Sequence, residues 1–174
     1  MNDIVIRVQE FISMENINNI SIKPTQLSDL ELFYRFQLDE KAIYMAAFTP
    51  ENPNDKEGYM SKWSGLMHNP EITTRTIFFG EAIVGSVGRF VMDGDAEITY
   101  WIDREYWGKG IATNALRAFL KIENTRPIFG RVAFDNIGSQ KVLEKCGFVK
   151  IGYEKSFANA RKSEIVEYIF KLTE

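Results

Sequence analysis

Tyr106-Trp107-Gly108-Lys109-Gly110-Ile111-Ala112-Thr113 is the stretch of this chain that decides its fold. It stands between a run that alternates like a strand, Ala96 to Ile102, and a segment whose apolar residues Ile111, Ala115, Leu116, Phe119 and Leu120 recur at helical spacing. Glycines at a strand-to-helix junction let the backbone come close to a ligand. The first N–H groups of a helix have no partner inside it and carry a partial positive charge of roughly half a unit, so such a turn suits an anion, most naturally a phosphate. A dinucleotide fingerprint needs a third glycine where Thr113 stands, and a Walker loop needs Gly-Lys-Ser/Thr after a longer glycine spacing. Neither pattern is present, and the octapeptide alone is also compatible with a tight structural turn.

Working outward, a second motif follows after a helix and a strand. Trp107-x-x-Gly110-x-Ala112, then Asn136-x-x-Ser139-x-x-x-Leu143-Glu144-Lys145-x-Gly147-Phe148, resembles the acetyl-CoA signature of the GNAT superfamily of N-acetyltransferases. The resemblance runs from about Ile20 to Leu172 and is closest to the ribosomal-protein N-terminal (alanine/serine) acetyltransferase branch. One departure is Trp107, where the superfamily pattern usually has Gln or Arg. The resemblance implies a mixed α/β domain with a central, mostly antiparallel sheet of seven strands, flanked by helices and splayed in a V between strands 4 and 5. It implies acetyl-CoA as co-substrate. The N–H groups of Gly108, Lys109, Gly110, Ile111, Ala112 and Thr113 would cradle the pyrophosphate, the main chain of Tyr100, Trp101 and Ile102 would pair with pantetheine, and Asn136 would hydrogen-bond the pantetheine arm.

Two catalytic candidates come from the same resemblance. Glu97 lies on the strand that would bind pantetheine, where several GNAT enzymes carry a catalytic Glu, and its alternative is a solvated strand carboxylate. A base matters because a lysine-like amine is neutral in only roughly one molecule in a thousand at pH 7, an α-amine in about one in ten. Ser139 matches a Ser of the ribosomal-protein branch that would protonate or hydrogen-bond the leaving thiolate, with Tyr153 as the fallback. Asn136 has a second reading as the N-cap of its helix. Gly147 and Phe148 read as a Schellman stop, and Cys146 as a core thiol rather than a nucleophile.

Composition narrows the remaining classes. The 174 residues are 45% hydrophobic and 26% charged with a formal net charge of −3, which fits one globular domain and offers no basic stripe for nucleic acid. One cysteine and one histidine exclude a disulfide framework and a Cys/His zinc site, which leaves only carboxylate-rich metal sites open, and no metal is implied. No signal peptide or membrane span is read in the opening residues, so a cytoplasmic protein without a membrane partner is expected, as monomer or homodimer. Residues 1–18 read as a helical extension, with Ile4, Val5, Val8, Phe11 and Ile12 at helical spacing, and residues 19–174 as the GNAT domain.

Along the chain, a strand is expected from Ile20 to Thr25, helical signal behind an N-cap at Ser28 up to Phe48, a loop from Thr49 to Lys56, and a further helix through Met60, Trp63 and Met67. Strands follow at Thr76–Phe79, Ile83–Val91 and Ala96–Ile102, then a helix from Gly110 to Glu123, a strand at Ile128–Phe134, a helix from Asn136 to Cys146, and strands at Val149–Tyr153 and Glu164–Leu172. The acceptor pocket is expected from Phe33 to Met67, with Tyr44, Phe48 and Trp63 as aromatic candidates. The favoured acceptor is a protein or peptide N-terminal amine, or a small α-amine. The alternatives are a polyamine or antibiotic N-acetyltransferase, for which Asp39, Glu40, Glu51, Asp55 and Glu57 would supply acidity, and a non-catalytic acyl-CoA-binding module.

Overall fold

The computed structural model describes residues 19–174, so the helix expected within residues 1–18 lies outside the described residues. Strand β1 (Ile20–Pro24) is followed by helices α1 (Leu30–Phe36), α2 (Glu40–Ala46) and α3 (Lys56–Leu66). A meander of β2 (Thr73–Phe79), β3 (Ala82–Met92) and β4 (Asp95–Ile102) comes next, then α4 (Ile111–Leu120), β5 (Ile128–Ala133), α5 (Ile137–Lys145), β6 (Val149–Ala158) and β7 (Ser163–Leu172). The seven strands form one sheet in the order β1-β2-β3-β4-β5-β7-β6, antiparallel everywhere except between β4 and β5.

Most expected elements stand where the periodicity put them, and the differences have local causes. The helical run between Asp29 and Phe48 divides into α1 and α2, because Asp39 turns back to accept the Ala42 N–H at 2.9 Å and starts a new helix. Ser28 is not the cap of α1. A 3-10 turn at Leu27–Asp29 precedes that helix, and Asp29 accepts the Gln26 N–H at 2.9 Å and the Thr76 hydroxyl at 2.6 Å, which fastens the start of α1 to β2. β6 runs on to Ala158 because every residue from Gly152 onward pairs with β7.

Strand alternation gives the sheet two unlike faces. Ile98 and Ile102 of β4, with Val87, Ile128, Val132 and Phe170, pack beneath α4 and α5 around the fully buried Ile111, Ala115, Leu116, Phe119 and Leu143. Burying a side chain of this size contributes about 1.5–3 kcal/mol, so α4 holds the turn before it firmly. On the opposite face α1 packs on β3 and against α3, the two helices roofing a cavity floored by β3 and β4, while Ala47 at the end of α2 packs on Ala133 and Ala158.

The parallel seam between β4 and β5 is short. Glu97↔Phe129 is its only registered pair, and beyond it the two strands diverge into the V implied by the sequence motifs.

Candidate active site

Gly108 and Gly110 have φ of 74° and 75°, a left-handed conformation that costs a residue with a Cβ, and Gly110 is the N-cap of α4. The helical ladder begins when Asn114 donates its N–H to the Gly110 carbonyl at 3.1 Å. Among the described residues, none of the N–H groups of residues 108–113 donates a hydrogen bond. Six donors at one helix N-terminus suit the pyrophosphate of acetyl-CoA. Trp107, the departure from the family pattern, has another use: its indole Nε1 donates to the Ile102 carbonyl at 2.8 Å and ties the turn to the end of β4.

Strand geometry narrows which main-chain groups of β4 face the V. Asp103 donates its N–H to the Val84 carbonyl at 2.8 Å, so Trp101, two residues back, also turns its peptide groups to β3. Tyr100 and Ile102 turn theirs the other way, into the splay. With the Ile102 carbonyl taken by Trp107, the N–H and C=O of Tyr100 and the N–H of Ile102 are the groups placed to pair with an extended ligand arm.

Across the V stands α5. Asn136 caps it, accepting the Ser139 N–H at 3.1 Å, and its Nδ2 donates to the Met45 carbonyl at 3.0 Å, joining α5 to α2. One N–H and one lone pair of that carboxamide remain for a ligand. Ser139 Oγ lies 2.6 Å from Tyr100 Oη, which also lies 3.1 Å from the Ser139 carbonyl. When the phenol donates to Oγ, the serine proton is free to point elsewhere; when the phenol donates to the carbonyl, it can accept that proton's hydrogen bond instead. Burial pushes the Tyr100 phenol well above its ordinary range, against the hydrogen bond from Ser139, so it remains a neutral donor. α5 ends as expected: Phe148 and Gly147 donate to the carbonyls of Leu143 and Glu144 at 3.1 and 3.0 Å, and Gly147 has a φ of 91°. Cys146 Sγ rests 3.5 Å from the Thr113 carbonyl, with burial raising its thiol, as a core cysteine should. Tyr153 stands on β6 with β7 between it and β5, 68% exposed, so the sheet order does not bring it to the V.

Glu97 sits at the apex of the V, 2% exposed, on the face of β4 shared with Thr99 and Trp101. It is not a solvated carboxylate. Its Oε1 accepts from Arg131 Nε at 3.0 Å, and burial raises its pKa while Arg131 opposes the rise. Arg131 also donates to Glu154 at 2.8 Å and approaches Glu167 at 3.8 Å. Burial carries the Glu167 carboxyl up to about 7. The sequence reading missed Arg131, Glu154 and Glu167, because only the β4-β5-β7-β6 order sets them in one row.

On the same face, α1 and α3 roof a cavity of about 120 Å³. Phe33, Phe36, Tyr59 and Trp63 come down from the helices, and Ser86, Thr99 and Trp101 come up from the strands. Of the expected pocket aromatics only Trp63 lines it. Tyr44 lies 3.4 Å beneath the Arg161 guanidinium, and Phe48 packs against the Ala47–Ala133–Ala158 cluster. Asp39 and Asp55 are spent as helix caps, and among the described residues no charged side chain lines the cavity.

Comparison with known proteins places this arrangement. A family model described as an acetyltransferase (GNAT) domain matches residues 19–149. The uncharacterized N-acetyltransferase p20 of Bacillus licheniformis is 30% identical over 99 residues, which are 53% of this chain and 56% of that protein. The chain thus spans little more than half the length of the curated relative it matches. Its fold is similar to that of RimL, a ribosomal L7/L12 alpha-N-protein acetyltransferase in complex with coenzyme A, with TM-score 0.78 and 16% identity over 89% of this chain and 94% of that one. It is also similar to the microcin C7 self immunity acetyltransferase MccE in complex with acetyl-CoA and AMP, with TM-score 0.76 and 20% identity over 90% and 93% of the two chains.

Proposed function

The chain belongs to the GNAT acetyltransferase family, and on that premise we propose that it is an acetyl-CoA-dependent N-acetyltransferase whose acceptor is a protein or peptide N-terminal amine or a small α-amine. The observation that carries the reading is the row of free N–H groups at residues 108–113 opening onto a V that has Glu97 at its apex and Ser139 on its far wall. When bound, acetyl-CoA supplies an activated acetyl thioester. The N–H groups of residues 108–113 hold the pyrophosphate, and the peptide groups of Tyr100 and Ile102 align the pantetheine arm beside β4. The free N–H of Asn136 supports the same arm from α5.

Glu97 takes the proton of the attacking amine, directly or through water. Its burial suits it to this work, because a carboxylate raised above its ordinary range gives up less driving force in accepting a proton near neutral pH. Arg131 keeps it oriented. Ser139 donates a hydrogen bond to the departing sulfur, and Tyr100, by donating to Ser139 Oγ, frees the serine proton for that bond.

An α-amine acceptor agrees with the branch resembled by the two motifs and with the absence, among the described residues, of charged side chains from the cavity lined by Thr99 and Trp101. The test sets a peptide with a free α-amine against one blocked at its α-amine but carrying lysine. Acetylation of the free α-amine is expected. Preferential acetylation of the blocked, lysine-bearing peptide overturns the acceptor assignment, and reaction with neither moves it to other small molecules.

A further inference from the structure

Along the face of β4 that α1 and α3 roof, Glu97, Thr99 and Trp101 follow one another at two-residue intervals, roughly 7 Å apart. Glu97 is the proposed base, and Thr99 and Trp101 both line the aromatic cavity, so the cavity begins two residues along β4 from the proton acceptor. An amine held over Thr99 has its substituent directed toward Phe33, Phe36, Tyr59 and Trp63.

The cavity wall is specific in what it admits. A cation buried there would lose its hydration without meeting a carboxylate among the described residues, which disfavours it. The volume of about 120 Å³ is a little below the roughly 150 Å³ of an apolar cavity known to admit benzene. Ser86 and Thr99 keep the floor low, and the roof is braced by ring contacts, Phe33 to Trp63 and Tyr59 to Trp63 each with centroids 6.0 Å apart. Tyr34 and Gln37 hold the preceding loop to α1 by donating to the Asn54 and Pro53 carbonyls at 3.0 and 3.3 Å, which fixes α3 over the sheet. The indole Nε1 of Trp101 is buried among the described residues without a hydrogen-bond partner, and as a donor it calls for an oxygen lone pair.

From these features we infer that the cavity is the acceptor's side-chain pocket and selects an α-amine bearing an uncharged apolar group of about isobutyl to phenyl size, with a neighbouring carbonyl oxygen. An N-terminal leucine-like residue has this chemistry, and a polyamine does not. The carboxylates of Glu154 and Glu167 do not rescue a polycation, because they gather about Arg131 outside the cavity wall. The inference rests on the proposed acetyl transfer.

The test measures kcat/KM for glycinamide, leucinamide, phenylalaninamide, lysinamide and spermidine, and in parallel the fluorescence of the three tryptophans, two of which line the cavity. Leucinamide or phenylalaninamide should exceed glycinamide and lysinamide by about tenfold or more, as expected for filling an apolar pocket. Both amides should also quench tryptophan emission. Ser86→Phe fills the cavity and should bring the leucinamide-to-glycinamide ratio toward one, with an intact acetyl-CoA melt shift showing that the variant is folded. Preference for spermidine or lysinamide overturns the inference, as does an unchanged ratio in Ser86→Phe. Quenching by leucinamide without acetylation of any probe keeps the pocket but overturns the acetyl-transfer reading. The absence of both quenching and acetylation overturns the pocket.

Discussion

The two sides of the cleft are made of different material. On the α4 and α5 side the wall is main-chain N–H groups, and the turn that presents them is eight consecutive residues whose glycines adopt left-handed φ. On the α1 and α3 side the wall is side chains, drawn from four elements between Phe33 and Trp101. Backbone donors are present whatever the sequence, provided the local conformation allows the approach. A cavity of side chains changes with each substitution. The contrast explains how one scaffold can keep a common co-substrate while its acceptors differ: the shared half is conformational and the variable half is compositional.

Breaking the backbone half should have the largest effect. Acetyl-CoA at a hundred times its dissociation constant should stabilise the protein by about 2.7 kcal/mol, visible in a thermal melt. Gly110→Asp, which places a Cβ and a negative charge at a left-handed N-cap, should abolish both that shift and activity. Retention of a full shift in this variant would show that the anion is held elsewhere.

Glu97→Gln addresses the junction of the two halves. Turnover should fall by roughly a hundredfold near neutral pH, within the usual range for loss of a general base. A base works only when deprotonated, and burial has raised the Glu97 pKa, so the native enzyme should lose activity as pH falls through that raised value. The variant should lack this acid limb and recover part of its rate in alkali, where the amine deprotonates unaided. A defect of equal size at every pH argues for a structural role through Arg131.

The smallest effect is expected at the far wall. Ser139→Ala should cost about tenfold in kcat with KM for acetyl-CoA little changed, the worth of one hydrogen bond to a developing charge. Tyr100→Phe should cost less, because Ser139 keeps its own proton. If Tyr100→Phe is the more damaging, the phenol rather than the serine faces the sulfur.

How much of this was legible beforehand follows the same division. The strand-to-helix turn, the capping role of Asn136, the Schellman stop at Gly147 and the meander from β2 to β4 are all settled by residues within a few positions of one another. So are the glycine conformations at Gly108 and Gly110. The partners of Glu97 were not legible, since Arg131 lies on β5 and the two further carboxylates on strands whose order in the sheet is reversed relative to the chain. Alternation along β4 puts Glu97, Thr99 and Trp101 together on one side, yet it does not say that α1 and α3 will cover that side. The aromatics at Tyr44 and Phe48 share the composition of a pocket wall and went elsewhere, one to Arg161 and one to an alanine cluster.

The sequence by itself therefore determined the family, the glycine turn before α4 and the identities of Glu97 and Ser139 as candidates, because these depend on short-range conformation and on residue types at fixed spacing. Only the tertiary structure decided that Tyr100 reaches Ser139, that Glu97 is buried against Arg131, and that Phe33, Tyr59, Trp63 and Trp101 meet around one cavity. Each of these is a meeting of side chains from segments far apart in sequence, governed by strand order and helix packing, and neither is encoded in any one stretch of the chain.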